Sequence, residues 1–233
     1  MASKEKALIV GAGRGLSASL ARLFSAEGMD VAIAARNTDK LADLCKATGA
    51  KAYKCDASDP TDVEKLFAAV TKDIGEPDIV VYNASNRARG PIQDLDPEAV
   101  RTVIEISCFG GFLVAQQAAK QMIKRGGGSI LLTGASASVK GYPNSSSFAM
   151  GKFGLRGLAQ SLARELQPQN IHVAHFVIDG GILQGADDAR GAQRGDDGML
   201  LPDEIAKSYL QVHRQHRSAW SWEIELRPWV EKF

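Results

Sequence analysis

Apolar residues fall in short unbroken runs, separated by longer stretches in which they recur every three or four positions. The runs "ALIV" (7–10), "VAIA" (31–34), "IVVY" (79–82), "SILL" (129–132) and "VAHFVI" (173–178) read as strands buried on both faces. Between them lie amphipathic helices. Leu16, Leu20, Leu23 and Phe24 share one helical face, Thr61-Asp62-Val63-Glu64 has the form of a capping box, and Asp96-Pro97 places a cap before a helix-starting proline. Strand and helix alternating in this way predict an α/β, doubly wound parallel sheet with helices on both faces and right-handed crossovers. The 233 residues suffice for one such domain, 1–233, without a linker.

Two segments depart from the pattern. "QGADDARGAQRGDDGML" (184–200) is rich in Gly, Asp and Arg, and reads either as a mobile lid over a site or as a disordered insertion. Near the end, Trp220, Trp222, Ile224 and Leu226 alternate with Ser221, Glu223, Glu225 and Arg227, which predicts a half-buried final strand. Core packing is the favoured role for the two tryptophans.

Charge and composition narrow the partners. A net charge of +1 gives no long-range attraction for nucleic acid or an anionic membrane. Three cysteines (Cys45, Cys55, Cys108) without metal spacing suit a reducing, cytoplasmic setting, and no metal site is expected. The start "MASKEKALIV" has too short an apolar run for a signal peptide.

Chemistry enters at the end of the first strand, where "GAGRGLSASLARLF" follows directly. Gly11, Gly13 and Gly15 let a backbone turn approach a pyrophosphate, and the helix that opens at Leu16 offers free N–H groups. A Gly-x-Gly-x-x-Gly fingerprint would need glycine at Leu16, so the spacing is Gly-x-x-x-Gly instead. After the second strand an acid would bind the ribose hydroxyls of NAD. The chain has Ala35-Arg36 there, and Arg14 sits in the glycine turn, two guanidinium groups suited to a 2′-phosphate. NADP(H) is therefore expected in preference to NAD(H). Asp56, followed by Ala57, is placed to accept from an adenine amino group, or else is a turn residue. Asn83 and Ala84 end the fourth strand at the edge where ligands bind in such sheets.

Over nearly its whole length the chain resembles the short-chain dehydrogenase/reductase superfamily, through "GAGRGLS", "CDAS", "YNAS", "SILLTGAS", "FAMGKFGLRGLAQSLARE" and "VIDGGI". The resemblance implies a seven-stranded Rossmann sheet, a nicotinamide cofactor reached also by Gly180 and Ile182, a small-molecule substrate, and a homodimer or homotetramer. It implies, too, a tyrosine that moves the proton and a lysine four residues on that holds the nicotinamide ribose. Lys152 matches the lysine, but the tyrosine position is Phe148, which cannot transfer a proton. The substrate-orienting serine falls at Ala135, beside Ser136 and near Ser138, and the relay asparagine falls at Ser107. Ser17, Asp179 and Tyr82 depart from the family pattern as well.

Candidate replacement donors are Tyr142, Tyr82, Asp179 and the serines 145–147, with water or a substrate-borne proton as a further route for an enoyl substrate. The expected function is an NADP(H)-dependent oxidoreductase acting on a carbonyl, alcohol or enoyl compound with altered proton delivery. A nucleotide-binding sensor or partner without turnover, and a lyase or isomerase without net redox change, stay open as alternatives.

Overall fold

The computed structural model describes residues 4–185 and 187–232. Seven strands form one parallel sheet in the order β3-β2-β1-β4-β5-β6-β9. They are β1 (Lys6–Val10), β2 (Asp30–Ala35), β3 (Lys51–Lys54), β4 (Ile79–Tyr82), β5 (Gly128–Thr133), β6 (Ile171–Ile178) and β9 (Glu223–Leu226). The order reverses between β1 and β4, which leaves a crevice at the carboxyl ends of those two strands. A separate parallel pair, β7 (Gly181–Ile182) and β8 (Met199–Leu200), follows β6.

The unbroken apolar runs have a plain cause. Successive residues of a strand point to opposite faces, and both faces are covered. Leu8 and Val10 enter one core with Val63, Val114 and Leu155, on the side of α3 (Pro60–Ile74), α5 (Gly110–Arg125) and α6 (Ser146–Leu166). Ala7 and Ile9 enter the other with Leu20, Phe24 and Tyr209, on the side of α1 (Leu16–Ala26), α2 (Ala42–Thr48) and α8 (Pro202–His213). α4 (Pro97–Ile104) runs into α5 through a π-turn, Glu105–Phe109.

Three local expectations change. α3 is capped by Asp59, whose side chain accepts from Asp62 N–H, with Pro60 at the first turn. The Thr61–Glu64 box lies inside the helix, because proline at its start fixes the entry two residues earlier. Segment 184–200, expected as a lid or a disordered insertion, contains a short helix, α7 (Ala189–Arg194), and β8, which pairs with β7. The predicted last strand is present, but only Glu223–Leu226 pairs with β6. Trp220 lies before it and stacks on His172 at 4.7 Å, and Trp222 packs against the α6-side core.

Candidate active site at the carboxyl edge

The glycine turn sits over the crevice. Gly11 has φ +92°, and a Cβ there would lie 2.3 Å from the Ala84 backbone nitrogen, so only glycine lets these two segments touch. Gly13 faces open space, and Gly15 faces Ile182, Leu183 and Gln184 across the crevice. Ser17 is buried and ties the turn together: its hydroxyl donates to Gly11 O at 2.9 Å, and its Oγ accepts from Asn83 Nδ2 at 2.7 Å. Leu16 is buried in the α1-side core, and Gly180 packs against Pro228. Gly11, Gly15, Asn83, Ala84 and Ile182 thus converge on one crevice, with the start of α1 aimed into it.

The polar residues around the turn divide. Arg14 and Arg36 are both exposed, and Arg14 lies 3.5 Å from Asp187 in the segment after β7. Asp56 already uses one carboxylate oxygen, Oδ1, for Ser58 N–H (3.0 Å) and Ser58 Oγ–H (2.6 Å). Those two bonds hold its carboxyl below the usual range, with Arg36 contributing less. Asp56 therefore shapes its turn through Oδ1, and its neighbour Ala57 is buried against Gly110.

Lys152 lies on α6 and is 3% exposed. Its Nζ donates to Thr133 O at the end of β5 at 2.8 Å. Burial first, and the Arg87 charge second, push its pKa down to about 7. Phe148, one turn earlier, packs on Ala135 and Ala137, and its ring centroid is 5.8 Å from Lys152 Nζ. Ser136 is half-buried beside them, whereas Ser138 is fully buried and accepts from Ala135 N–H at 3.1 Å. Lys152, Phe148, Ala135 and Ala137 therefore form one cluster, with Ser136 next to Ala135 in the chain. Behind it, His175 is buried and kept neutral, with its pKa lowered to about 4 by burial. Its Nδ1 is 3.0 Å from Glu223, which also takes a bidentate pair from Arg156 at 2.6 and 2.8 Å.

Several candidate donors have partners of their own. Tyr82 is fully buried, its hydroxyl donates to Ile106 O, and burial raises its pKa far above the working range. It is a packing residue because a ring at the inward position of β4 has the α5 backbone against it. Asp179 accepts from Lys140 Nζ and pairs with Arg227, each at 3.3 Å. Tyr142 is exposed, with Lys140 Nζ 5.8 Å from its ring, in the loop before α6. Ser147 is not a cap: its Oγ–H donates to Ala88 O at 2.6 Å. Ser107, at the asparagine position, is buried in the π-turn, where it accepts from Asn86 N–H at 3.2 Å and packs on Gly151.

One residue at the site carried no sequence signal. Arg87, in the loop after β4, places its guanidinium 4.1 Å over the Phe148 ring. Its position two residues beyond "YNAS" says nothing by itself, because its meaning comes from α6, which lies 61 positions away in sequence at Phe148. Two surface clefts, of about 400 and 340 Å³, lie at the amino ends of the strands around Asn170, His172 and Trp220, away from this cluster. Among the described residues no group of His, Cys, Asp and Glu could hold a metal, and no helix is long and apolar enough to cross a membrane.

Residues 5–187 match a family model described as short chain dehydrogenase. An uncharacterized oxidoreductase of Mycobacterium tuberculosis is 31% identical over 237 residues, covering 98% of this chain and 91% of its own. The trans-4-hydroxycyclohexanecarboxylate dehydrogenase of Sinomonas cyclohexanicum is 35% identical over 182 residues, covering 73% of this chain and 70% of its own. A solved short-chain dehydrogenase from Rhodopseudomonas palustris superposes with a TM-score of 0.83 at 33% identity, covering 97% of this chain and 99% of its own.

Proposed function

The chain belongs to the short-chain dehydrogenase family, and from that premise we propose that it is an NADP(H)-dependent oxidoreductase whose proton route bypasses the missing tyrosine. The observation that carries this reading is the buried Lys152 at the end of β5, on the same sheet edge as the glycine turn. The turn fits a dinucleotide because Gly11 closes against Ala84 and Gly13 leaves open space. Arg36 and Arg14 would hold a 2′-phosphate through charge-assisted bonds, and Ala35 leaves no acid at the end of β2 to repel it. Asn83, Ile182 and Lys152 would line the remainder of the cofactor. When bound, NADP(H) supplies the hydride.

The protein's own residues do the rest. Phe148 gives an apolar wall, Ser136 a hydroxyl toward substrate, and Lys152 Nζ a proton, since its pKa of about 7 makes ammonium and amine both accessible near neutrality. Hydride transfer to or from a carbonyl, alcohol or enoyl compound follows from the family. A homo-oligomer is part of the same reading.

Titrating NADPH and NADH into wild-type protein and Arg36→Ala tests the cofactor assignment. Loss of one charge-assisted contact should weaken NADPH by about ten-fold or more and leave NADH nearly unchanged. Equal affinity for both cofactors in the wild type would remove the NADP(H) assignment.

A further inference from the structure

Arg87 holds no part of the nucleotide in the reading above, yet the fold fixes it from both sides. Asn86 N–H donates to Ser107 Oγ at 3.2 Å, and Ala88 O accepts from Ser147 Oγ at 2.6 Å. Gly90 N–H donates to Asn144 O at 3.1 Å. Ser107 and Ser147 are fully buried, so two internal hydroxyls serve to hold this short loop against α6. Between the two clamps the Arg87 guanidinium carbon lies over Phe148, 4.1 Å from the ring centroid.

Other arginines of the protein are engaged by its own acceptors. Arg125 donates to Glu76 O, Pro77 O and Gly127 O, and Arg156 grips Glu223 with two bonds. Arg227 pairs with Asp179 at 3.3 Å. Arg87 is exposed at the site, and among the described residues its guanidinium has no carboxylate within ion-pair distance and no hydrogen bond, so it is open to a ligand. Its surroundings repel it instead: crowding by protein atoms, then Arg89 and Arg190, lower its pKa. Asp188, the acid beside Arg190, is already engaged by that arginine at 2.6 and 2.9 Å. Arg87 in turn disfavours the charged form of Lys152. The region therefore carries an excess of positive charge that an anion would neutralise.

A guanidinium stacked on an aromatic ring keeps its N–H edge free, and that edge matches the two oxygens of a carboxylate. We propose that Arg87, held on Phe148, recognises a carboxylate carried by the substrate, so that the substrate class is small organic acids. Phe148 then has a use that a proton donor would not need to fulfil: it is the shelf that orients the arginine. The inference rests on the cleft being the oxidoreductase site, and it names the substrate class for that site.

Calorimetric titration with benzoate and with its uncharged analogue benzamide tests it, with and without saturating NADPH. Wild-type protein should bind benzoate at least about ten-fold more tightly than benzamide, and Arg87→Gln should lose that preference. Arg87→Lys keeps the charge but not the planar fork, so it should fall between them. Arg101→Gln, a surface change on α4 that removes only the Glu98 pair, should bind like wild type. Equal binding of the two probes, no benzoate binding, or unchanged binding in Arg87→Gln would each overturn the proposal. NADPH titrated into Arg87→Gln separates the two readings, because the carboxylate site should be lost while cofactor affinity is kept. Should wild-type protein bind no NADPH, the cofactor reading fails, and the benzoate series without cofactor still decides on Arg87. Circular dichroism of the Gln and Lys variants matching wild type ensures that the comparison is between folded proteins.

Discussion

A lysine as buried as Lys152 sets a pH dependence that can be worked through. Unfolded, it titrates near its ordinary 10.5; folded, near 7. Between those values the unfolded chain holds a proton that the folded chain has lost, so stability rises with pH across that window. Below about 7 the buried charge is present in full and costs stability throughout. Lys152→Met should therefore raise the melting temperature most at pH 6, and by less at pH 10. Every 1 kcal/mol relieved should appear as about 2–4 °C. An effect equal at both pH values would contradict the burial-driven shift. Reduction that takes its proton from Lys152 Nζ should likewise decline as pH rises through about 7. Phe148→Tyr combined with Ala135→Ser restores the family's donor and its serine, and general acid catalysis is worth about 10²–10⁴-fold where geometry permits. Ketone reduction by the double variant should rise within that range with NADPH affinity unchanged. No gain would show that the cluster is not arranged for carbonyl protonation. Lys152 and Phe148 could be found from sequence because the helix pattern of α6 fixes their spacing, and Ser136 because it follows the β5 run in "SILLTGAS". Tyr82 and Asp179 misled because a sequence shows that a residue is polar at a strand end, but not that Ile106 O or Arg227 has already engaged it.

Among the elements, the loop after β4 and the π-turn before α5 act together. A π-turn widens the helix by one residue, and here it turns Ser107 inward against Gly151 and Asn86. Ser107→Ala should leave the sheet intact and release the segment 86–90, which hydrogen exchange would register as faster amide exchange there and little change in β1 or β4. Uniform protection in the variant would mean that the clamp is not what holds Arg87. Gly11→Ala is the harsher change. A side chain at φ +92°, pressed on the Ala84 backbone at 2.3 Å, must move one segment. Strain of this kind costs about 1–3 kcal/mol, and cofactor affinity should fall with stability. The strands were legible because both faces are covered, which leaves apolar runs without polar interruption. The start of α3 was misplaced by two residues because Asp59-Pro60 and Thr61–Glu64 both carry capping chemistry, and proline geometry decided between them. The helix α7 and strand β8 were hidden because Gly, Asp and Arg have little periodicity to read.

At the scale of the molecule, the outer faces of α5, the π-turn and α6 carry Phe109, Phe112, Ile123, Met150 and Phe153, all exposed, with Phe109 and Phe112 stacked at 6.0 Å. Apolar side chains gathered on one side of a protein favour association. Sedimentation at micromolar concentration should show a dimer or tetramer, and Phe112→Glu with Phe153→Glu should shift it toward monomer; a wild-type monomer would oppose the homo-oligomer. The α1 side is instead closed over by α8, whose Ile205 and Tyr209 fill the core there. The sheet brings the glycine turn and the Lys152 cluster to one edge. The account stands most directly on turnover. Purified protein with NADPH and a panel of small keto and enoyl acids should lose NADPH absorbance, at a rate that falls as pH rises through about 7 and is abolished by Lys152→Met. Tight NADPH binding with no oxidation across the panel would contradict it and leave a nucleotide-binding protein without redox turnover.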